Sequence, residues 1–117
     1  MRDHTKLRAF ELADEVALLI YRTTMEFPKE ETYGLTSQMR RVPVSVPSNI
    51  VEGCARESQT EHLRFLEIAF ASLRELHYQL GLSKRLRYFD ELDISGCEII
   101  IVENGKVLGA LLRSMHR

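Results

Sequence analysis

The sequence predicts an all-α fold, an antiparallel up-down-up-down four-helix bundle with a proline-kinked second helix. Three observations predict it. Apolar residues recur at alternating steps of three and four in four separate stretches, which is helical spacing. Short charged or turn-forming segments divide those stretches, and short connections make consecutive helices antiparallel neighbours. The chain has 117 residues, 44% hydrophobic and 28% charged, enough for one core without staples. A single domain spanning residues 1–117 is therefore expected.

The first helix is expected from about Lys6 to Glu26. Phe10, Ala13, Ala17, Ile20, Thr24 and Phe27 form one stripe, and Leu12, Val16 and Leu19 an adjacent one. Together they make an apolar face wider than a surface helix needs. Pro28 ends the helix, because the residue before a proline is pushed out of the α region. After a charged loop, Thr36 or Ser37 is expected to cap the second helix by accepting a backbone N–H. Leu35, Met39, Val42, Val46 and Ile50 then carry a stripe through Pro43 and Pro47. An interior proline loses a backbone hydrogen bond and costs about 3 kcal/mol. Pro43 frees the carbonyl of Met39, and Pro47 frees that of Pro43. One kinked helix ending near Gly53 is expected; the alternative breaks at Val42 and resumes after Pro47.

Ser58-Gln59-Thr60-Glu61 is a capping box that opens the third helix. Its stripe is Leu63, Leu66, Phe70, Leu73, His77 and Leu80, flanked by Ala69 and Leu76. Lys84, Arg85 and Arg87 crowd its C-terminal end, where cations favour the helix dipole. Acidic residues from Asp90 to Asp93 suit a fourth start. Ile94, Cys97, Ile101, Asn104, Leu108, Leu111 and Met115 keep the helical spacing to the end. A β-hairpin competes here: Ile99–Val102, then Asn104-Gly105, then Val107-Leu108 also fits strand–turn–strand. No partner strand exists elsewhere, and a lone hairpin is marginal in water.

Composition narrows the function. The net charge is −1, from 16 basic and 17 acidic residues, which argues against a strongly cationic nucleic-acid binder and leaves room for a local patch. Cys54 and Cys97 lack metal-ligand spacing and are expected as reduced core thiols. There is no apolar signal core and no run long enough to span a bilayer, so a cytoplasmic location and no membrane partner are expected. No Glu-x-x-His pair exists for a di-iron site. His4, His62, His77 and His116 never pair at helical spacing for zinc. No phosphate loop or nucleophile elbow occurs. The chain is therefore expected to be no enzyme and to carry no cofactor or metal. His77, on the apolar stripe, is expected to be a hydrogen-bonded core or interface histidine.

Two basic groups are candidates for contact with a nucleic acid or a protein partner: Arg40 with Arg41, and Lys84, Arg85 and Arg87. Guanidinium forks suit phosphate oxygens, but ion pairs with carboxylates of the first helix would serve Arg40 and Arg41 equally well. Residues 74–88 are locally positive and residues 90–117 locally negative. A surface sided in this way can join one copy to the next. Asn49 is placed to satisfy backbone groups exposed by Pro47, and Glu52 to pair with an arginine of its own or a neighbouring subunit.

The ordered run Tyr33-Gly34-Leu35-Thr36-Ser37-Gln38-x-Arg40-Arg41, followed by Val44-Ser45-Val46-Pro47-Ser48-Asn49-Ile50-x-Glu52-Gly53, resembles the signature of the 23S rRNA intervening-sequence protein family. Ile20-Tyr21 before Phe27-Pro28, Arg64-Phe65-Leu66-x-Ile68-Ala69 and Ser72-Leu73-x-Glu75-Leu76 extend the likeness over about residues 7–112. Pro43, Val51 and Cys54 depart from the small residues usual in the motif. The resemblance implies a four-helix bundle with a kinked second helix, and so a fourth helix in place of the hairpin. It implies a homopentameric ring, with Gln38, Pro47, Ser48, Asn49, Glu52 and Gly53 as structural or interface residues. A related branch, the accessory variability protein of diversity-generating retroelements, binds a reverse transcriptase and nucleic acid. That branch is strongly basic, and this chain is not. The leading expectation is a non-enzymatic, self-assembling ring. The alternative is an RNA- or DNA-binding adaptor for a reverse transcriptase or another RNA-processing protein.

Overall fold

The computed structural model of the chain describes residues 2–116, all of them helix, turn or connecting segment. Four helices carry the fold: α1 Arg8–Thr23, α2 Leu35–Cys54, α3 Gln59–Arg85 and α4 Glu91–Met115. Short 3₁₀ turns lie at His4–Lys6, Thr24–Glu26 and Lys29–Glu31. α1 packs on α2 and α4, and α3 packs on the same two, so α1 and α3 stand on a diagonal. No strand occurs among the described residues, and Ile99–Leu108, the competing hairpin, lies inside α4. No helix among those residues is long and apolar enough to cross a membrane.

The start of α2 corrects the expected cap. Neither Thr36 nor Ser37 caps it. The helix begins at Leu35 with Gly34 at the cap position and no side-chain cap there. The 3₁₀ turn before it brings Glu31 back under the first turn, where Oε1 accepts the Leu35 amide at 3.1 Å. A carboxylate is the better acceptor at a positive helix end. Oε2 of the same residue accepts the Tyr88 hydroxyl at 2.8 Å, tying α2 to the corner between α3 and α4. These two bonds, the Tyr88 bond first, hold the Glu31 carboxyl below the usual carboxylate range.

α2 runs unbroken across both prolines, so the alternative of a break at Val42 does not form. Met39, Val42, Val46 and Ile50 are all buried, as their spacing requires. The helix ends near Gly53 as expected, at Cys54, although its C-cap is Ala55 and not the glycine.

α3 opens on Ser58, whose Oγ accepts the Glu61 amide at 3.3 Å. Its buried stripe is His62, Leu66, Ala69, Leu73, Leu76 and Leu80. Phe70 and Leu63 are only half-buried and His77 is exposed, so of the two roles expected of His77 the core one is excluded, and the buried histidine is His62. The C-terminal end is a Schellman motif. The Tyr88 amide donates to the Ser83 carbonyl and the Arg87 amide to the Lys84 carbonyl, both at 3.0 Å. The motif places Arg87 at φ 62°, where a side chain is unfavourable by about 1–2 kcal/mol. Arg87→Gly is therefore expected to stabilise the fold by about 1 kcal/mol, read as a higher midpoint in urea with an unchanged slope.

α4 starts at Asp90, whose carboxylate accepts the Leu92 amide at 3.3 Å. Cys97 and Asn104 are buried on its inner face, and Asn104 Nδ2 donates to the Ala9 carbonyl of α1 at 3.1 Å. At the opposite end of the bundle, Arg2 straps residues 2–7 across the α2–α3 corner. Its amide donates to the Cys54 carbonyl at 3.1 Å. Its guanidinium donates to the Arg56 carbonyl at 2.8 Å and to Gln59 Oε1 at 2.7 Å.

His62 is 5% exposed and stands against the Gly53 backbone. Burial first, and then the nearby Arg2 charge, push its pKa below the ordinary 6.5, against the contact with the Gly53 backbone, which raises it. The unfolded chain then takes up this proton at a higher pH than the folded one. Stability from this group is full above pH 6.5 and is lost as pH falls through that value towards the folded pKa. Melting temperature should fall over that window in wild type and flatten in His62→Gln.

Candidate functional site

The polar residues of the signature segment all project from α2, and the structure divides them by role. Arg40 does not pair with a carboxylate of α1. Its Nε donates to Thr24 Oγ1 at 3.1 Å, and its guanidinium lies 4.7 Å from the centre of the Tyr21 ring. Tyr21 and Thr24 occupy the side of α1 that meets Arg40, whereas Glu11, Asp14 and Glu15 are exposed elsewhere on that helix. Arg41 donates to Gln38 Oε1 at 2.7 Å, one turn back on its own helix. Glu52 pairs with Arg56 at 2.6 Å within the chain.

Asn49 serves a different carbonyl from the one Pro47 frees. Its Nδ2 donates to the Ser45 carbonyl at 2.8 Å and to Ser45 Oγ at 3.0 Å. Ser45 Oγ in turn stands 3.0 Å from Ser72 Oγ of α3. One turn beyond Asn49, Gly53 lets the two backbones close up: a Cβ there would lie 2.9 Å from Phe65 Cβ and 3.2 Å from the His62 carbonyl oxygen. Small residues at these contacts explain why α2 and α3 pack more extensively than any other pair. Pro47 is half-buried and Ser48 is exposed.

The sequence profile of the 23S rRNA-intervening sequence protein family matches residues 5–110. The chain belongs to that family. A crystal structure of a protein of unknown function from the S23 ribosomal protein family of Bacteroides thetaiotaomicron has the same fold, with a TM-score of 0.79 at 21% identity. The match covers 89% of this chain and 97% of that one. No curated protein matches in sequence. In this family member the signature segment thus does structural work at three points: Arg40 against α1, and Ser45 with Asn49 and then Gly53 against α3.

The two basic groups come to one end of the bundle, because the Glu31–Tyr88 bond joins the start of α2 to the corner that follows α3. Lys84, Arg85 and Arg87 are exposed there, with Lys84 3.7 Å from Glu98. Acids share that end: Glu26, Glu30, Glu31, Asp90, Glu91 and Asp93. The cations therefore do not form a field of one sign. A cleft of about 530 Å³ runs beside Tyr21, Arg40, Arg41 and Val44 and under Tyr33, which is 97% exposed.

A second concavity was not foreseen from sequence. Between α3 and α4 an apolar slot of about 310 Å³ is floored by Phe70, Leu73, Ile101 and Val102. Arg74, His77 and Lys106 stand around it, and no carboxylate lines it. Gly105 leaves it open, since the one atom within 4 Å of a Cβ built there is Leu73 Cδ2, at 3.8 Å. His77 thus edges a surface slot. The slot draws its residues from two helices whose facing register only the packed bundle supplies. No group of three or more His, Cys, Asp or Glu side chains among the described residues could hold a metal ion.

Proposed function

We propose that the protein is a non-enzymatic scaffold that assembles with copies of itself into a closed ring, pentameric by family resemblance. The observation that supports this reading is the placement of its exposed apolar side chains. Leu18 (52% exposed) and Tyr21 (47%) on α1, with Met25 (74%) in the 3₁₀ turn that follows it, make a stripe. Ile99 (70%) and Val102 (41%) sit on α4 beside the slot. Single exposed apolar residues are ordinary, but stripes of them mark contact surfaces. A cyclic ring needs two different surfaces on each subunit, and these two differ. Sedimentation velocity tests the proposal: one discrete species of several chains is expected at micromolar concentration, and a clean monomer rejects it.

A second reading is a nucleic-acid-binding adaptor using Arg40, Arg41, Lys84, Arg85 and Arg87. Its support is that both groups share one end with the fully exposed Tyr33, a ring on which a base can stack. Binding to single-stranded RNA or DNA that weakens steeply with salt is the expected signature. No binding at about 50 mM salt rejects it.

A further inference from the structure

We propose that the cleft at the start of α2 is a binding site for a nucleoside monophosphate, either free or as the phosphorylated end of a strand. The site goes beyond both readings above, since it needs neither a ring nor a tract of strand. Ser37 lies three and four residues before Arg40 and Arg41, and Val44 four and three after them, so one face of α2 carries all four into the cleft. No carboxylate lines the cleft, and among the described residues neither guanidinium is in an ion pair. Glu31, the acid at the start of α2, is outside the lining and holds the Leu35 amide and the Tyr88 hydroxyl. Two uncompensated positive charges suit a dianion. A phosphate monoester carries about 1.5 to 2 negative charges at neutral pH, and a diester link in a strand carries about one.

The donors for such a group are in place. Arg40 is steadied by Thr24 Oγ1, the Tyr21 carbonyl and the Tyr21 ring, and Arg41 by Gln38, which leaves Nη1 of each without an acceptor among the described residues. Guanidinium forks held in this way match phosphate oxygens. The first amides of a helix have no partner within it. Glu31 takes that of Leu35, and those of Thr36 and Ser37 are left at the positive end of the helix dipole. A separate observation points the same way: Thr36 lines the cleft, is only 9% exposed, and its Oγ1 has no hydrogen-bond partner. A buried hydroxyl without an acceptor is costly, and a phosphate oxygen supplies one. The nucleoside half follows from Tyr33, whose bare ring at the cleft edge is a platform for one base. The volume of about 530 Å³ is that of a site for one small ligand. The other basic group lacks this form: Lys84 stands 3.7 Å from Glu98, and Glu91 lines the hollow that Lys84 and Arg87 share.

Titration calorimetry on the full chain at about 50 mM salt tests the site. The probes are adenosine monophosphate, adenosine, inorganic phosphate, and one short RNA with and without a terminal phosphate. Adenosine monophosphate is expected to bind and adenosine not. Tighter binding of the end-phosphorylated RNA than of adenosine monophosphate supports the site with a strand end as its ligand, and the reverse order supports it with a free nucleotide. Arg41→Gln should weaken adenosine monophosphate and inorganic phosphate alike, by about tenfold. Tyr33→Ala should weaken adenosine monophosphate by about tenfold and leave inorganic phosphate unchanged. Both variants should fold, since Arg41 bonds only Gln38 among the described residues and Tyr33 is 97% exposed. Arg85→Gln should leave every affinity unchanged. No heat from adenosine monophosphate at millimolar concentration overturns the proposal. So does an equal loss of affinity in Arg85→Gln, which would trace binding to charge in general. RNA that binds equally well with and without its terminal phosphate also overturns it, and leaves the strand-binding reading standing. The mass of the wild-type species, ring or monomer, bears on none of these outcomes.

Discussion

Gly53→Ala is expected to destabilise the protein by about 2 kcal/mol, a fall of roughly 8 °C in melting temperature. Alanine in a helix would ordinarily be favoured over glycine by about 1 kcal/mol. Here the new Cβ would sit 2.9 Å from Phe65 Cβ and 3.2 Å from the His62 carbonyl oxygen. Neither is the end of a flexible side chain, so α2 and α3 must move apart. Gly81→Ala and Gly96→Ala are the controls. Both positions are helical with nothing within 4 Å of a Cβ, and each substitution is expected to stabilise by about 0.5–1 kcal/mol. If Gly53→Ala melts with the controls, the close-approach account of the signature glycine is wrong.

Asn104→Asp carries the other large expected effect. Asn104 is fully buried; its Nδ2 donates to the Ala9 carbonyl, and its Oδ1 has no partner. An aspartate there would put a negative charge against a carbonyl oxygen in an apolar core, costing about 3 kcal/mol or more at neutral pH. Burial raises the pKa of such a carboxyl, so the folded state holds the proton to a higher pH than the unfolded one. Stability should therefore recover on acidification, where the acid form can donate to Ala9 as the amide does. Asn104→Leu removes the unpaired oxygen as well as the bond and is expected to change stability by less than about 1 kcal/mol. Denaturant midpoints from neutral to acid pH check both substitutions. An Asn104→Asp variant with no pH dependence beyond wild type would remove the account.

The periodicity of apolar residues was enough to find all four helices, because burial on one face of a helix imposes that spacing. It failed where side-chain size and burial part company. Along α3 the larger Phe70 outranks Ala69 on hydrophobicity, which draws the apparent stripe round to His77. Ala69 is nevertheless the fully buried residue, because a small side chain is what a close helix contact needs. Partners distant in sequence were equally hidden. Tyr21 and Thr24 as the partners of Arg40 and the open slot beside Gly105 depend on which faces meet, whereas the Glu31 cap of α2 is a local contact, four residues from Leu35, made by the 3₁₀ turn before the helix. Arg40 and Arg41 were legible as important but not in role, since a guanidinium suits an aromatic ring, a hydroxyl or a phosphate equally.

The strap formed by Arg2 gives the molecule two native timers. Cys54 and Cys97 are each 1% exposed, and burial pushes both thiols up, so an alkylating reagent must wait for an opening. Cys54 lies at the corner crossed by residues 2–7, close enough for the charges of Arg2 and Asp3 to act on it. A few hydrogen bonds and one 3₁₀ turn hold that cover. Cys97 lies in α4, its sulfur 4.0 Å from the Thr23 hydroxyl of α1, and is reached only when those helices part. Pulsed alkylation should modify Cys54 first, and Arg2→Ala should accelerate that reaction while leaving the Cys97 rate nearly unchanged. The bundle would then be seen to loosen from one corner, on a clock separate from that of its whole core.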